Sequence, residues 1–161
     1  MAQRHNEDAA RARVAGLLHD LARLYSPERL IHAAQVRGLP IDDFERRHPI
    51  VLHARVGAEI AREFGVDDPA VLRAIARHTL AAPGMSRLDA IVYLADGLEP
   101  GRQFEKREAF EALAFRDLEG AMTAVLRSTL AHLRGRELEA APQTLAALRS
   151  FESRERSPIS A

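Results

Sequence analysis

Residues 14–20 read Val14-Ala15-Gly16-Leu17-Leu18-His19-Asp20, an apolar run that ends in an imidazole and a carboxylate side by side. Alanine and leucine favour helix, and no alternation of β-branched and polar residues competes for a strand. The same character extends outward in both directions. Asn6 or Asp8 is placed to cap a first helix that runs to about Leu24. Ser26-Pro27-Glu28 starts a second helix, with a cap residue, a proline at the first helical position and an acid in the first turn. Gly38 and Pro40 end it. Asp42 and Asp43 begin a short helical turn that His48-Pro49 stops, because a residue before proline disfavours the α region.

Further along, Ile50 to Phe64 is amphipathic with a helical period, and Gly65 closes it. Asp68-Pro69 starts a helix to about His78, followed by the loop Ala81-Ala82-Pro83-Gly84. Ser86 with Asp89 is a capping box for a helix through Ala95 and Asp96. Beyond the break at Glu99-Pro100-Gly101-Arg102, two or three helices fill 105–134 and Gly135 closes them. A last helix spans Pro142 to about Glu152. The expectation is one all-α domain, a bundle of seven to nine helices over residues 1–152, with 153–161 (SRERSPISA) as a flexible C-terminal tail.

Composition narrows the chemistry. A chain of 161 residues buries about two-thirds of its unfolded surface, enough for a core of its own. Its 23 basic and 23 acidic residues cancel, which removes the global electrostatic case for a nucleic-acid or membrane-surface binder. There is no cysteine, so disulfides, thiolate metal sites, iron–sulfur clusters and thiol nucleophiles are excluded. Any metal must be held by His, Asp or Glu, and seven histidines leave that open. Lys106 is the only lysine and no GxxxxGK[ST] occurs, which sets aside P-loop nucleotide chemistry. The opening residues carry no apolar signal-peptide core, and no run approaches the ~18 apolar residues of a membrane span. The expected setting is the cytoplasm.

The His19-Asp20 pair offers a ring nitrogen and a carboxylate oxygen to one ion, a donor set that suits iron, manganese or zinc. Three more stations share its placement at the end of, or within, an apolar stripe: His53 after Ile50-Val51-Leu52, His78 at the end of its helix, and Asp96 after Tyr93-Leu94-Ala95. Buried singly, such groups are costly; gathered around a divalent cation, they are compensated.

The order HD…H…H…D resembles that of the HD-domain metal-dependent phosphohydrolases. The wording is closer to their YqeK-type branch. Ala15 to Arg23 (AGLLHDLAR) is similar to its AGLLHD-x-A-K, Leu52 to Ala58 (LHARVGA) to its LLH-x-x-VGA, and Ala74 to Thr79 (AIARHT) to its AI-x-x-HTT. Pro83-Gly84-Met85-Ser86, Ile91 to Asp96 and Leu98-Glu99-Pro100-Gly101-Arg102 are similar to its GMS…I-x-YLAD…EPGR. The resemblance covers roughly residues 10–150. It implies a symmetrical bis(5′-nucleosyl)-tetraphosphatase that splits diadenosine tetraphosphate into two ADP at an iron-containing, dinuclear site. It implies His19, Asp20, His53, His78 and Asp96 as ligands, with Asp20 bridging and serving catalysis. Arg102 is implied as a catalytic and phosphate-binding group, with Arg23 and Thr79 as further phosphate contacts; arginine suits bidentate contact with phosphate. Manganese or zinc in place of iron, and one ion in place of two, stay open. So do a homodimer, a different nucleoside di- or triphosphate substrate, and a nucleotide-binding protein with impaired catalysis.

Two departures from the family pattern carry expectations. Family members have a first histidine on an extra N-terminal helix, whereas eighteen residues precede His19 here and His5 does not match that ligand. A truncated or misassigned start is therefore expected, with weakened metal binding at one position and reduced activity. Leu80-Ala81 stands where the family has Thr-Gly, which would alter how a polyphosphate or base is held. Other residues are set aside. His32 reads as an ordinary surface or core histidine, His48 as a turn residue near the site, His132 as structural, and Arg46-Arg47-His48 as a solvated face. Phe44, Phe64, Tyr93 and Phe104 read as core, with Tyr25 and Phe104 as candidate base-stacking partners.

Overall fold

The computed structural model describes residues 1–155. Among them the chain forms nine α-helices: α1 (Ala9–Leu18), α2 (Pro27–Val36), α3 (Asp43–Arg47), α4 (His53–Glu63), α5 (Pro69–Arg77), α6 (Arg87–Gly97), α7 (Arg107–Arg116), α8 (Leu118–Gly135) and α9 (Pro142–Glu155). Two 3-10 turns, Ala2–His5 and Pro49–Leu52, complete the order. The caps are those the residue types dictate. Asp8, Ser26, Asp42, Asp68, Ser86 and Asp117 each accept a backbone N–H of the helix they precede, and Asp42/Glu45 and Ser86/Asp89 form reciprocal capping boxes.

Three buried clusters make the core. Leu30, Ala34, Leu52, Val56 and Ile60 join α2 to α4. Ala15, Ala58, Val71, Ile75, Leu88 and Val92 join α1, α4, α5 and α6. Ile91, Leu94, Leu98, Met122, Leu126 and Phe151 join α6, α8 and α9. Helix α6 belongs to two of these, with Leu88 and Val92 facing one way and Ile91 and Leu94 another. It is the axis on which the halves of the domain meet, and Asp96 projects from its last turn.

Several boundaries differ from the sequence expectation. The first helix stops at Leu18, not near Leu24. Residues 19–25 form tight turns with Leu21, Arg23 and Tyr25 bonded to carbonyls three residues back. Only Ala15 of α1 is buried, and Leu17 faces solvent with 72% of its surface exposed. The stretch from Pro49 to Leu52 winds as a 3-10 turn with the proline at its first position, and α4 begins at His53 rather than Ile50. Gly135 ends α8 as expected, but it does not take the left-handed conformation itself. The left-handed closing position falls on Glu137, φ 56°, where Leu138 N–H reaches back to the Leu133 carbonyl at 2.9 Å. Phe64 is not core: it ends α4 with 80% of its surface exposed. Helix α9 continues through Glu155, three residues into the expected tail, and residues 156–161 lie outside the described residues. Phe44 and Tyr93 are buried as expected.

Candidate metal centre

The five expected ligand residues come together from four places in the fold. His19 caps the end of α1, Asp20 follows it in the tight turn, His53 opens α4, His78 caps the end of α5, and Asp96 ends α6. Asp20 lies between two groups of donors. Its Oδ1 is 3.3 Å from His53 Nε2 and 3.6 Å from His78 Nε2. Its Oδ2 is 3.6 Å from His19 Nε2, which in turn is 3.8 Å from Asp96 Oδ1. One donor atom from each of His19, Asp20 and His78 lies within 4.8 Å of the others.

The backbone sets the tautomers. His19, His53 and His78 each present Nδ1 to the carbonyl three residues earlier: Gly16 at 2.7 Å, Ile50 at 2.6 Å and Ile75 at 2.7 Å. A carbonyl only accepts, so Nδ1 is the protonated nitrogen and each neutral ring turns a lone pair on Nε2 towards the cluster. Each of the three residues has helical φ and ψ at a helix terminus, which places its ring one turn from the carbonyl it bonds. Burial pushes the His53 and His78 imidazoles below their ordinary values, against the opposing effect of the Ile50 and Ile75 carbonyls. Both rings therefore favour the neutral, ligating form.

These residues fit a divalent cation. His53 and His78 oppose Nε2 to Nε2 at 3.2 Å, with both Nδ1 protons already given to carbonyls. Thr79 Oγ1 lies 3.2 Å from each, and its single proton can serve only one. The Asp20 carboxylate adds acceptors and no donor. The centre holds more lone pairs than protons, and a positive ion satisfies it.

The sequence candidates for phosphate contact stand around this centre. Arg102 is clasped to Asp96, with Nη2 donating to Oδ1 at 2.7 Å and Nε to the Asp96 carbonyl at 2.8 Å. Arg23 is near enough to oppose protonation of His53. Arg23, Thr79 and Arg102 all line a cavity of about 690 Å³ that also reaches Asp20, His53, His78 and Asp96. Tyr93 lines it too; burial pushes its phenol up to about 12, so it acts as a neutral hydrogen-bonding group.

Other readings change. His132 is not merely structural: it lines the same cavity, together with Gln103, Ser128 and Thr129. No sequence signal marked these positions, because α8 reaches the site only through packing on α6. Phe104 lines the cavity, whereas the Tyr25 ring carries the Arg29 guanidinium 3.5 Å above it and packs on the α2–α4 cluster. His48 is a turn residue, 3.3 Å from Glu139, and Arg47 pairs with the same carboxylate. His32 is exposed. His5 lies 2.6 Å from the Ala114 carbonyl at the end of α7.

Comparison with known proteins defines the class. Residues 1–101 match the model of the HD domain family, and the chain belongs to that family. Within it, the chain is similar to proteins named symmetrical bis(5′-nucleosyl)-tetraphosphatase. One from Bacillus subtilis is 32% identical over 89% of this chain and 77% of its own length. One from Halalkalibacterium halodurans is 34% identical over 91% of this chain and 78% of its own. In three dimensions it superposes on a Clostridium acetobutylicum protein described as a predicted HD superfamily hydrolase involved in NAD metabolism. That match has a TM-score of 0.92 at 34% identity, covering 95% of this chain and 82% of the other.

Proposed function

We propose that this chain is a metal-dependent, symmetrical hydrolase of bis(5′-nucleosyl) tetraphosphates, converting diadenosine tetraphosphate and water into two ADP. The observation that carries the reading is the convergence of three Nε2 lone pairs and both Asp20 oxygens on one centre at the edge of the cavity. The similarity to proteins named for this reaction, over 89% and 91% of this chain and 77% and 78% of theirs, supports the choice of substrate. His53, His78 and Asp20 Oδ1 would hold one ion, and His19, Asp96 and Asp20 Oδ2 a second, with Asp20 as the bridge. Iron is the proposed metal; nitrogen and carboxylate donors suit it, as they suit manganese and zinc. When bound, the ions supply Lewis acidity towards the phosphoryl oxygens and a more acidic water.

The protein's own residues do the rest. The Gly16, Ile50 and Ile75 carbonyls fix the three rings so that no ring turns at the moment of reaction. Arg102 holds Asp96 and borders the cavity, so its guanidinium meets a phosphate from a fixed position. Arg23 adds positive charge, and the Thr79 hydroxyl, beside both buried imidazoles on the cavity wall, would donate a hydrogen bond to a phosphate oxygen. Water attacks one of the two inner phosphorus atoms, the bridging oxygen leaves with the other half, and two nucleoside diphosphates result. A neutral chain whose described residues include no helix long and apolar enough to cross a membrane suits a small cytoplasmic substrate. Iron-loaded protein incubated with diadenosine tetraphosphate is expected to yield ADP alone, and iron is expected to copurify. AMP with ATP, or unconsumed substrate, overturns the reading.

A further inference from the structure

The cavity beside the metal centre carries a second kind of surface that phosphate chemistry leaves unused. Phe104, in the loop between α6 and α7, keeps 41% of its surface exposed, and its ring lies 6.3 Å, centroid to centroid, from that of Phe110. Both rings line the cavity with Val125 of α8. An exposed aromatic on a concave wall rimmed by polar groups marks a ligand contact rather than a packing defect. Ser128 and His132, one turn apart on α8, line the same wall. One cavity thus joins cations that suit phosphate to flat apolar surface with hydrogen-bonding groups beside it. A nucleoside phosphate has both requirements in one molecule.

We propose that Phe104, with Phe110 packed beside it, is the stacking surface for a nucleobase of the substrate, and that Ser128 and His132 hydrogen-bond the attached nucleoside. The proposal rests on the reading of the chain as a dinucleoside tetraphosphate hydrolase and deepens it. Every base offers a π-face, so stacking of this kind tolerates different bases and is set by ring area. The phosphates would then run towards Arg23, Arg102 and the metal centre.

The test is calorimetric titration of metal-loaded protein with ADP and, separately, with inorganic tripolyphosphate. Phe104→Leu, which keeps apolar volume and removes the ring, is expected to weaken ADP roughly tenfold and to change tripolyphosphate less than twofold. Phe104→Trp is expected to restore ADP binding. Equal losses for both ligands, no loss for ADP, or wild-type protein that does not bind ADP overturns the proposal. Turnover of diadenosine tetraphosphate by the wild type is read in parallel. ADP binding that depends on Phe104, without turnover, refutes the hydrolase reading and leaves the base site standing. Turnover with unchanged KM in Phe104→Leu refutes the base site alone.

Discussion

Asp20 faces two sets of imidazoles with its two oxygens, yet its side chain is 45% exposed and caps no helix. On the proposed reading its contribution is to ligation rather than to folding. Asp20→Ala is expected to lose bound metal, measured by elemental analysis, and to lower turnover by at least about a hundredfold. The melting temperature of the metal-free variant should stay within about 2 °C of the metal-free wild type, as for a surface substitution. Glu137 is the opposite case, a residue with no part in the site and an unfavourable backbone. Its φ of 56° is a left-handed position that Cβ penalises, and its side chain is exposed. Glu137→Gly is expected to raise stability by about 0.5–1 kcal/mol, seen as a small upward shift in thermal melting. A fall in melting temperature would contradict this account of the α8 terminus.

At the scale of the element, the helices are held at their starts by charged carboxylates. Backbone N–H donation from Glu45 to Asp42, and from Ala70 to Asp68, holds both carboxyls below the usual aspartate value of 3.8. The folded state therefore releases these protons more readily than the unfolded chain. Their stabilisation is complete above about pH 4 and is lost as pH falls through the lower folded values. Thermal melting should decline across that acidic window. Asp42→Asn, which keeps a capping oxygen but does not titrate, should decline less steeply. Identical pH profiles for the variant and the wild type would remove Asp42 from the explanation. The same elements aim the candidate site: α1, α5 and α6 end, and α4 begins, at His19, His78, Asp96 and His53.

For the whole molecule, the centre joins the end of α1, the start of α4 and the ends of α5 and α6, so cation binding crosslinks the parts that the core clusters hold together. A ligand that binds only the folded state stabilises by mass action. At a hundredfold excess over its Kd, an added divalent ion is worth about 2.7 kcal/mol, or roughly 5–10 °C for a chain of this size. Chelation is expected to lower the melting temperature by that order, and restoring the ion to reverse it. A melting temperature indifferent to chelator would mean that the cluster does not bind metal in the folded state.

Much of this was legible along the chain because its causes are local. Ser26-Pro27, Asp42 with Glu45, Asp68-Pro69 and Ser86 with Asp89 announce helix starts through groups within three residues of one another. The stations His19-Asp20, His53, His78 and Asp96 stand out because each adjoins an apolar run where a lone polar group is costly. Packing decided the remainder. The turns that end α1 at Leu18 aim His19 and Asp20, and α8 brings Ser128 and His132 to the cavity across more than thirty residues of sequence from Asp96. Arg102 was readable as a cation but not as the clasp on Asp96, since that contact depends on how the loop after α6 folds back. The sequence by itself determined the helix starts and which imidazoles and carboxylates adjoin apolar runs, because residue chemistry and capping are short-range. Only the tertiary structure decided that they share one centre at the edge of one cavity, because that depends on where separate helix ends come to rest against a common core.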